Sequence, residues 1–247
     1  MLKIYKKIVP IISIYSFITI IIFACLNIKP SGETINTNNE QKQTSENIIT
    51  KDVITEKDTV LLNSSEDIDI TTIQQEYNNN EIIARLEIPN LINTLLAKTT
   101  NNEYYLNHSL KKEKDKKGSE FIDYRNNLNS KQINIYGHNS RTYDIPFRKL
   151  EKFLDEKFFN NNPYIILQTI STKRVYKIMA IKEVSDDNEH MYINYKGQEF
   201  IEHMSRLLQD TIYQRNISYD ENSNILILQT CSYAHKDSYY VIIAIEI

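Results

Sequence analysis

Cysteine is nearly absent from this 247-residue chain, which has two, Cys25 and Cys231, in settings so different that no bridge between them is expected. A single thiol left over in an outer domain is a candidate reactive group, although a free cysteine also packs as a small, inert hydrophobe. An excess of positive charge is missing too: 29 Lys and Arg face 32 Asp and Glu, intermixed, for a net charge of -3. That balance gives no electrostatic footprint for nucleic acid. The sequence contains no CxxC, HxxxH or HExxH, so no zinc site and no metal cofactor are expected. It has no GxSxG, which removes the usual serine nucleophile. Tryptophan is absent and glycine scarce, but this skew reflects genome base composition as much as physics.

What is there begins with a long apolar run. Lys3, Lys6 and Lys7 precede residues 8–26, "IVPIISIYSFITIIIFACL", which carry no charge. About 20 apolar residues suffice to cross a bilayer core as a helix, and lysines in front of it favour an N-terminus kept in the cytoplasm. The run predicts an uncleaved signal anchor. A cleaved secretory signal, or a lipoprotein signal ending at Cys25, is the alternative. The expected organisation is a cytoplasmic tip and transmembrane anchor over 1–27, an extracytoplasmic linker over 28–65 and a folded domain over 66–247. The linker is rich in Asn, Thr, Glu, Lys and Ser and has too little apolar surface to order itself.

The folded part starts with a predicted helix, capped by Ser65, with Asp67 and Asp69 in its first turn and Ile68, Ile70, Ile73 and Tyr77 along one face. Short β-type runs separated by turn residues then predict strands over 82–88, 92–98, 120–124, 132–136, 164–168, 173–184, 224–231 and 239–247. Two stretches have helical spacing instead. Residues 145–159 place Phe147, Leu150, Phe153, Leu154 and Phe158 on one side. Residues 197–214 do the same with Phe200, Ile201, Met204, Leu207, Leu208 and Ile212. Eight strands and few helices predict a mainly antiparallel β-barrel with helices set into its loops.

Of five histidines, only His138 directly follows a strand-like run and opens a polar turn, "INIYGHNSR", with Gly137 allowing the bend. Cys231 likewise closes the apolar run "ILILQTC". A thiol and an imidazole on two strand ends of one sheet can meet, as covalent thiol catalysis requires. The same two residues are also compatible with unconnected structural roles. His203 reads as a solvated helix residue beside Glu202, and His235, four residues past Cys231, as a candidate local base.

"ILQTC" resembles the TLxTC signature of sortases, with Ile227 where that pattern has Thr, and "NIYGHN" resembles the strand that carries the family's catalytic histidine. "ARLEIPNLINTLLAKTTNNEYYLNHSL", "KKGSEFIDYRN", the "F..L..F" helix after the histidine and the long helical insertion before 224 are similar to class B sortases. The resemblance spans about 82–247. It implies an eight-stranded sortase-type β-barrel with peripheral helices, and a membrane-anchored transpeptidase that cuts a C-terminal sorting signal, NPQTN-like, after threonine. Cys231 would form a thioacyl-enzyme, His138 would move the protons, and a peptidoglycan cross-bridge amine would accept the acyl group. Gln229 and Thr230, and Tyr192 and Tyr195 before the inserted helix, would contact the substrate. One departure stands out: no arginine follows Cys231, and Tyr239 occupies the position where the family carries one. A phenol brings one hydrogen bond and no charge. Arg141 and Lys236 are the other candidates for that role. The departure keeps open a catalytically silent fold that binds sorting signals; a thiol hydrolase that releases rather than ligates its substrate is the other alternative.

Overall fold

The computed structural model describes residues 65–185 and 188–247, together with Glu56, Thr59 and Asn63. The expected anchor over 8–26, Cys25 and nearly all of the linker lie outside the described residues. Among the described residues no helix is long and apolar enough to cross a membrane.

Nine strands form one sheet: β1 (Ile82–Ile88), β2 (Ile92–Ala97), β3 (Phe121–Ile122), β4 (Gln132–Tyr136), β5 (Tyr164–Thr169), β6 (Lys173–Val184), β7 (Tyr213–Gln214), β8 (Ile225–Cys231) and β9 (Tyr239–Glu246). Their order is β5-β1-β2-β3-β4-β8-β9-β6-β7, and a further β5–β6 pairing closes eight of them into a barrel. Closure leaves β7 as a short ninth strand hydrogen-bonded to β6. Most pairings are antiparallel, as expected. The β4–β8 and β2–β3 pairings are parallel, and the first of these builds the site.

The apolar run of β8 has a direct physical cause. Leu226 and Leu228 join the main core, whereas Ile225 and Ile227 join a second cluster under a helix, α3 (Gln198–Leu207). A strand buried on both faces needs apolar residues at every position, because each Leu or Ile left in water would forfeit roughly 1.5–3 kcal/mol. β4 differs: Ile133 and Ile135 enter the core, but Gln132, Asn134 and Tyr136 alternate onto the other face and stay buried. That polar stripe runs directly toward His138.

The helices depart from the sequence reading in instructive ways. The first helix, α1 (Ile70–Tyr77), is capped by Asp69, whose carboxylate accepts from Thr71 N–H at 2.9 Å. Ser65 does not cap it, because its hydroxyl donates to Glu87 at 2.6 Å and is taken up by β1. The expected helix over 145–159 divides into a 3-10 stretch, Pro146–Leu154, and a helix α2 (Glu156–Asn161). Asp155 breaks it, since its side chain accepts from Phe158 N–H at 2.7 Å and so starts a new helix. Phe147, Leu150 and Phe153 still reach the core as the spacing required. α3 ends at Leu207, well before Ile212, which is largely exposed.

Candidate active site

The parallel β4–β8 register pairs Tyr136 with Gln229. Continuing it by two residues sets His138 beside Cys231, and two hydrogen bonds extend the pairing past the strand end: Gly137 N–H to Gln229 O at 3.2 Å and Thr230 Oγ1 to Gly137 O at 2.9 Å. β9 runs antiparallel on the other side of β8 and pairs Cys231 directly with Tyr239. His138, two residues past the end of β4, Cys231 at the end of β8 and Tyr239 at the start of β9 therefore lie at neighbouring ends of three adjacent strands, and all three line one cleft of about 310 Å3. Gln229 and Thr230 form its floor with Tyr136 and Gly137, while Asn102, Leu106, Phe121 and Met191 complete the walls.

Gly137 is required by crowding. A β-carbon there would lie 2.7 Å from the Phe147 ring and 3.0 Å from Cγ of Glu120. The bend the sequence suggested is therefore a close approach of strand, helix and carboxylate, with no need for an unusual φ. Gly118 needs both, with φ +63 and a hypothetical β-carbon 2.6 Å from Tyr105 O and 3.0 Å from the His138 ring. It packs the loop before β3 against the imidazole.

His138 Nε2 lies 2.6 Å from the Leu106 carbonyl. A carbonyl only accepts, so Nε2 carries a proton and Nδ1 is the nitrogen left for proton transfer. Cys231 is partly buried, and burial pushes its thiol up, while the backbone N–H groups of Asn139 and of Cys231 itself pull it down. No hydrogen bond joins the thiol to the His138 ring among the described residues. The resting pair is thus a neutral thiol beside a histidine.

The loops that follow the two residues are tied together. Asn139 Nδ2 donates to the Cys231 carbonyl at 2.9 Å and to Glu151 at 2.6 Å, and Tyr233 donates its hydroxyl to Asn139 O at 2.9 Å. Arg141 lies over the Tyr233 ring, 4.6 Å from its centroid, and Lys236 is fully in solvent. Neither lines the cleft, so no Lys or Arg does among the described residues, and Tyr239 alone occupies the place where the sequence resemblance expects an arginine. His235 stands in the exposed β8–β9 turn, also away from the cleft.

Tyr192 and Tyr195 sit outside the residues that line the cleft; Met191 of the same segment lines it instead. Tyr192 is 57% exposed, and Tyr195 stacks on His203 at 4.3 Å. His203 is not the solvated helix residue expected but is fully buried, at 0% exposure. Its Nδ1 meets Glu189 and its Nε2 meets Gln132, both at 2.7 Å. Burial pushes its pKa down, and the Glu189 carboxylate opposes that shift. Asp123 and Arg125 form a second brace: Asp123 accepts from the Tyr136 hydroxyl at 2.8 Å and from Arg125 at 2.6 Å, and Arg125 also donates to Met191 O at 2.9 Å. Burial raises the Asp123 carboxyl, but the Arg125 and Tyr136 hydrogen bonds outweigh it and leave the pKa lowered. Asn102, Leu106 and Met191 left no periodic signal in the sequence, because they reach the cleft from a loop and from the ends of two three-residue 3-10 turns, Tyr104–Leu106 and Glu189–Met191.

The model of the sortase domain family matches residues 86–246, more than half of the chain and the whole of this site. A curated relative, sortase B of Listeria monocytogenes, is 30% identical over 139 residues, which cover 55% of this chain and 56% of that protein. The chain thus spans little more than half of that relative's length. Among solved structures, sortase B of Clostridium perfringens superposes with a TM-score of 0.66 at 26% identity, covering 72% of this chain and 99% of that one. A Staphylococcus aureus sortase B–substrate complex shares the fold, with a TM-score of 0.67 at 19% identity over 76% of this chain and 90% of that one. With its barrel, its cleft and these relatives taken together, the chain belongs to the sortase family and is of the class B type.

Proposed function

We propose that this chain is a cysteine transpeptidase that cleaves a C-terminal sorting signal of secreted proteins after threonine and transfers the acyl group to a cell-wall amine. The observation that carries the reading is the single cleft in which a parallel strand pair sets Cys231 beside His138, with Tyr239 across from the thiol. The thiol proton passes to Nδ1 of His138 as Sγ attacks the threonine carbonyl carbon. The imidazolium then protonates the leaving amine, and the carbonyl carbon stays bonded to sulfur as a thioester. An incoming amine attacks that carbon and loses its proton to His138, and the sulfur departs with its electron pair to be reprotonated. The Tyr239 phenol supplies a donor for the oxyanion in both halves. Gln229 and Thr230 contact the signal peptide from the cleft floor.

The apolar run over 8–26 fits a single-pass anchor in the cell membrane with the catalytic domain on the outer face, where sorting signals and peptidoglycan amines occur. Gram-positive-type surface display is the corresponding setting. Tyr192 and Tyr195, though outside the cleft lining, follow Met191 in the chain and are candidates for contacting the more distant part of the signal.

Full-length protein incubated with a fluorogenic NPQTN-type peptide tests this reading, with oligoglycine or a diaminopimelate-type amine added to separate ligation from hydrolysis. Cleavage should disappear in Cys231→Ala and fall by about 10²–10⁴ in His138→Asn. Retained cleavage in Cys231→Ala refutes the mechanism. A second reading, a silent fold that binds sorting signals, is favoured by one observation, the lack of a Lys or Arg among the cleft residues. Peptide binding without turnover across a range of motifs would select it.

A further inference from the structure

Gln229 lines the cleft two residues before the nucleophile, and its side chain has a fixed partner behind it. His190, only 1% exposed, places Nε2 2.9 Å from Gln229 Oε1. A carboxamide oxygen only accepts, so His190 donates, and the amide is oriented with its oxygen toward the interior. The NH2 end of Gln229 makes no hydrogen bond among the described residues, and two donors remain at the cleft floor.

His190 is itself held from several sides. Its carbonyl accepts from Gln132 Nε2 and from Asn134 Nδ2, both at 2.9 Å. Gln132 Nε2 also donates to Asn134 Oδ1 at 2.9 Å, which fixes which end of the Gln132 amide faces which neighbour. Gln132 Oε1 then receives His203 Nε2, and His203 Nδ1 is secured by Glu189, the residue before His190. The polar stripe of β4 thus holds the 189–191 turn at His190 and, through His203, at Glu189, while Arg125 holds Met191 O, and the turn aims one imidazole at Gln229. Such a buried network favours one geometry, because a slip leaves polar groups unpaired; His203, with an acceptor at each nitrogen, completes it as the imidazolium paired with Glu189.

We infer that His190 is a positioning residue that makes Gln229 an obligate hydrogen-bond donor to the peptide, so that the cleft selects a carbonyl or carboxamide oxygen at that place in the signal. The inference rests on the cleft being a peptide site. It assigns a role to His190, Gln132 and His203, which bear no part in the covalent chemistry. It also distinguishes this floor from one offering a hydroxyl, which donates and accepts without preference.

The decisive measurement has one arm that needs no substrate. In full-length protein labelled with 15N at histidine, near pH 8, His190 should show the Nε2–H tautomer. The Nδ1–H tautomer would mean that the Gln229 amide is reversed, and would overturn the inference even if the chain cleaves nothing. The second arm is a double-mutant cycle of peptide affinity in the Cys231→Ala background, read by fluorescence anisotropy. His190→Phe and Gln229→Met should each weaken binding about tenfold, and the pair together no more than either alone. Multiplying losses would show that His190 does not act through Gln229. His190→Gln, which retains an amide donor, should restore most of the affinity, whereas a merely structural role would leave it as weak as His190→Phe. Wild-type failure to cleave any signal peptide counts against the transpeptidase reading; the tautomer result decides this one.

Discussion

Replacing Glu120 by Gln probes the electrostatics beneath the His138 turn. Glu120 is 6% exposed, its Cγ presses on Gly137, and Thr94 Oγ1 donates to its carboxylate at 2.9 Å. Burial, opposed by that hydrogen bond, pushes the carboxyl from an ordinary 4.5 up to about 7. An acid whose pKa is higher in the folded state binds its proton more tightly there. Its contribution to stability is therefore present below pH 4.5 and is lost as pH rises from 4.5 to 7. At 1.36 kcal/mol per unit, two and a half units amount to roughly 3 kcal/mol. Gln does not titrate and is nearly isosteric, though its second amide hydrogen has no evident acceptor, which costs about 1 kcal/mol. Urea unfolding of full-length protein should find Glu120→Gln equal to or slightly less stable than wild type near pH 4.5, and more stable by roughly 2 kcal/mol at pH 8. A stability difference that does not change with pH would refute the argument.

The resting thiol gives a second check: because burial raises its pKa, alkylation of Cys231 by iodoacetamide should still be accelerating above pH 9, and a plateau near pH 7 would indicate an ion pair with His138 that the structure does not contain. Tyr239→Phe removes the phenol opposite Cys231 and should lower kcat by roughly tenfold with little change in KM, less than the 2.7–4 kcal/mol typical of a strong oxyanion donor. Unchanged kcat/KM would show that the hydroxyl has no part in the reaction.

The strands were legible because their cause is local. Runs of Ile, Leu, Val and Tyr bounded by turn residues locate β1, β4 and β6 at the ends where they occur and misjudge β2, β3, β5, β8 and β9 by one or two residues at an end, whereas β7 falls where helical spacing had been read and was not expected. Helix ends were less legible, since a short polar side chain decides them: Asp155 splits one predicted helix by capping the next turn, and Ser65 gives up its cap to Glu87. His203 was misread for a related reason. On helical spacing it lies beside exposed Glu202, and only the fold brings Gln132 of β4, 71 positions away, within hydrogen-bonding distance of it.

By itself the sequence determined that one thiol closes a strand and one histidine follows another, that the run leading to the thiol is apolar, and that a tyrosine stands eight residues past it. Those are properties of neighbours along the chain, governed by backbone propensity and by burial on one face or two. Tertiary structure alone decided that β4 and β8 are parallel partners, so that residues 138 and 231 share a cleft, and that β9 returns Tyr239 to the other side of Cys231. It also decided that Arg141 and Lys236 lie elsewhere and that His190 stands behind Gln229. Pairing between distant strands is set by barrel closure and by satisfying buried polar groups. Both depend on the whole chain at once, and neither leaves a local trace.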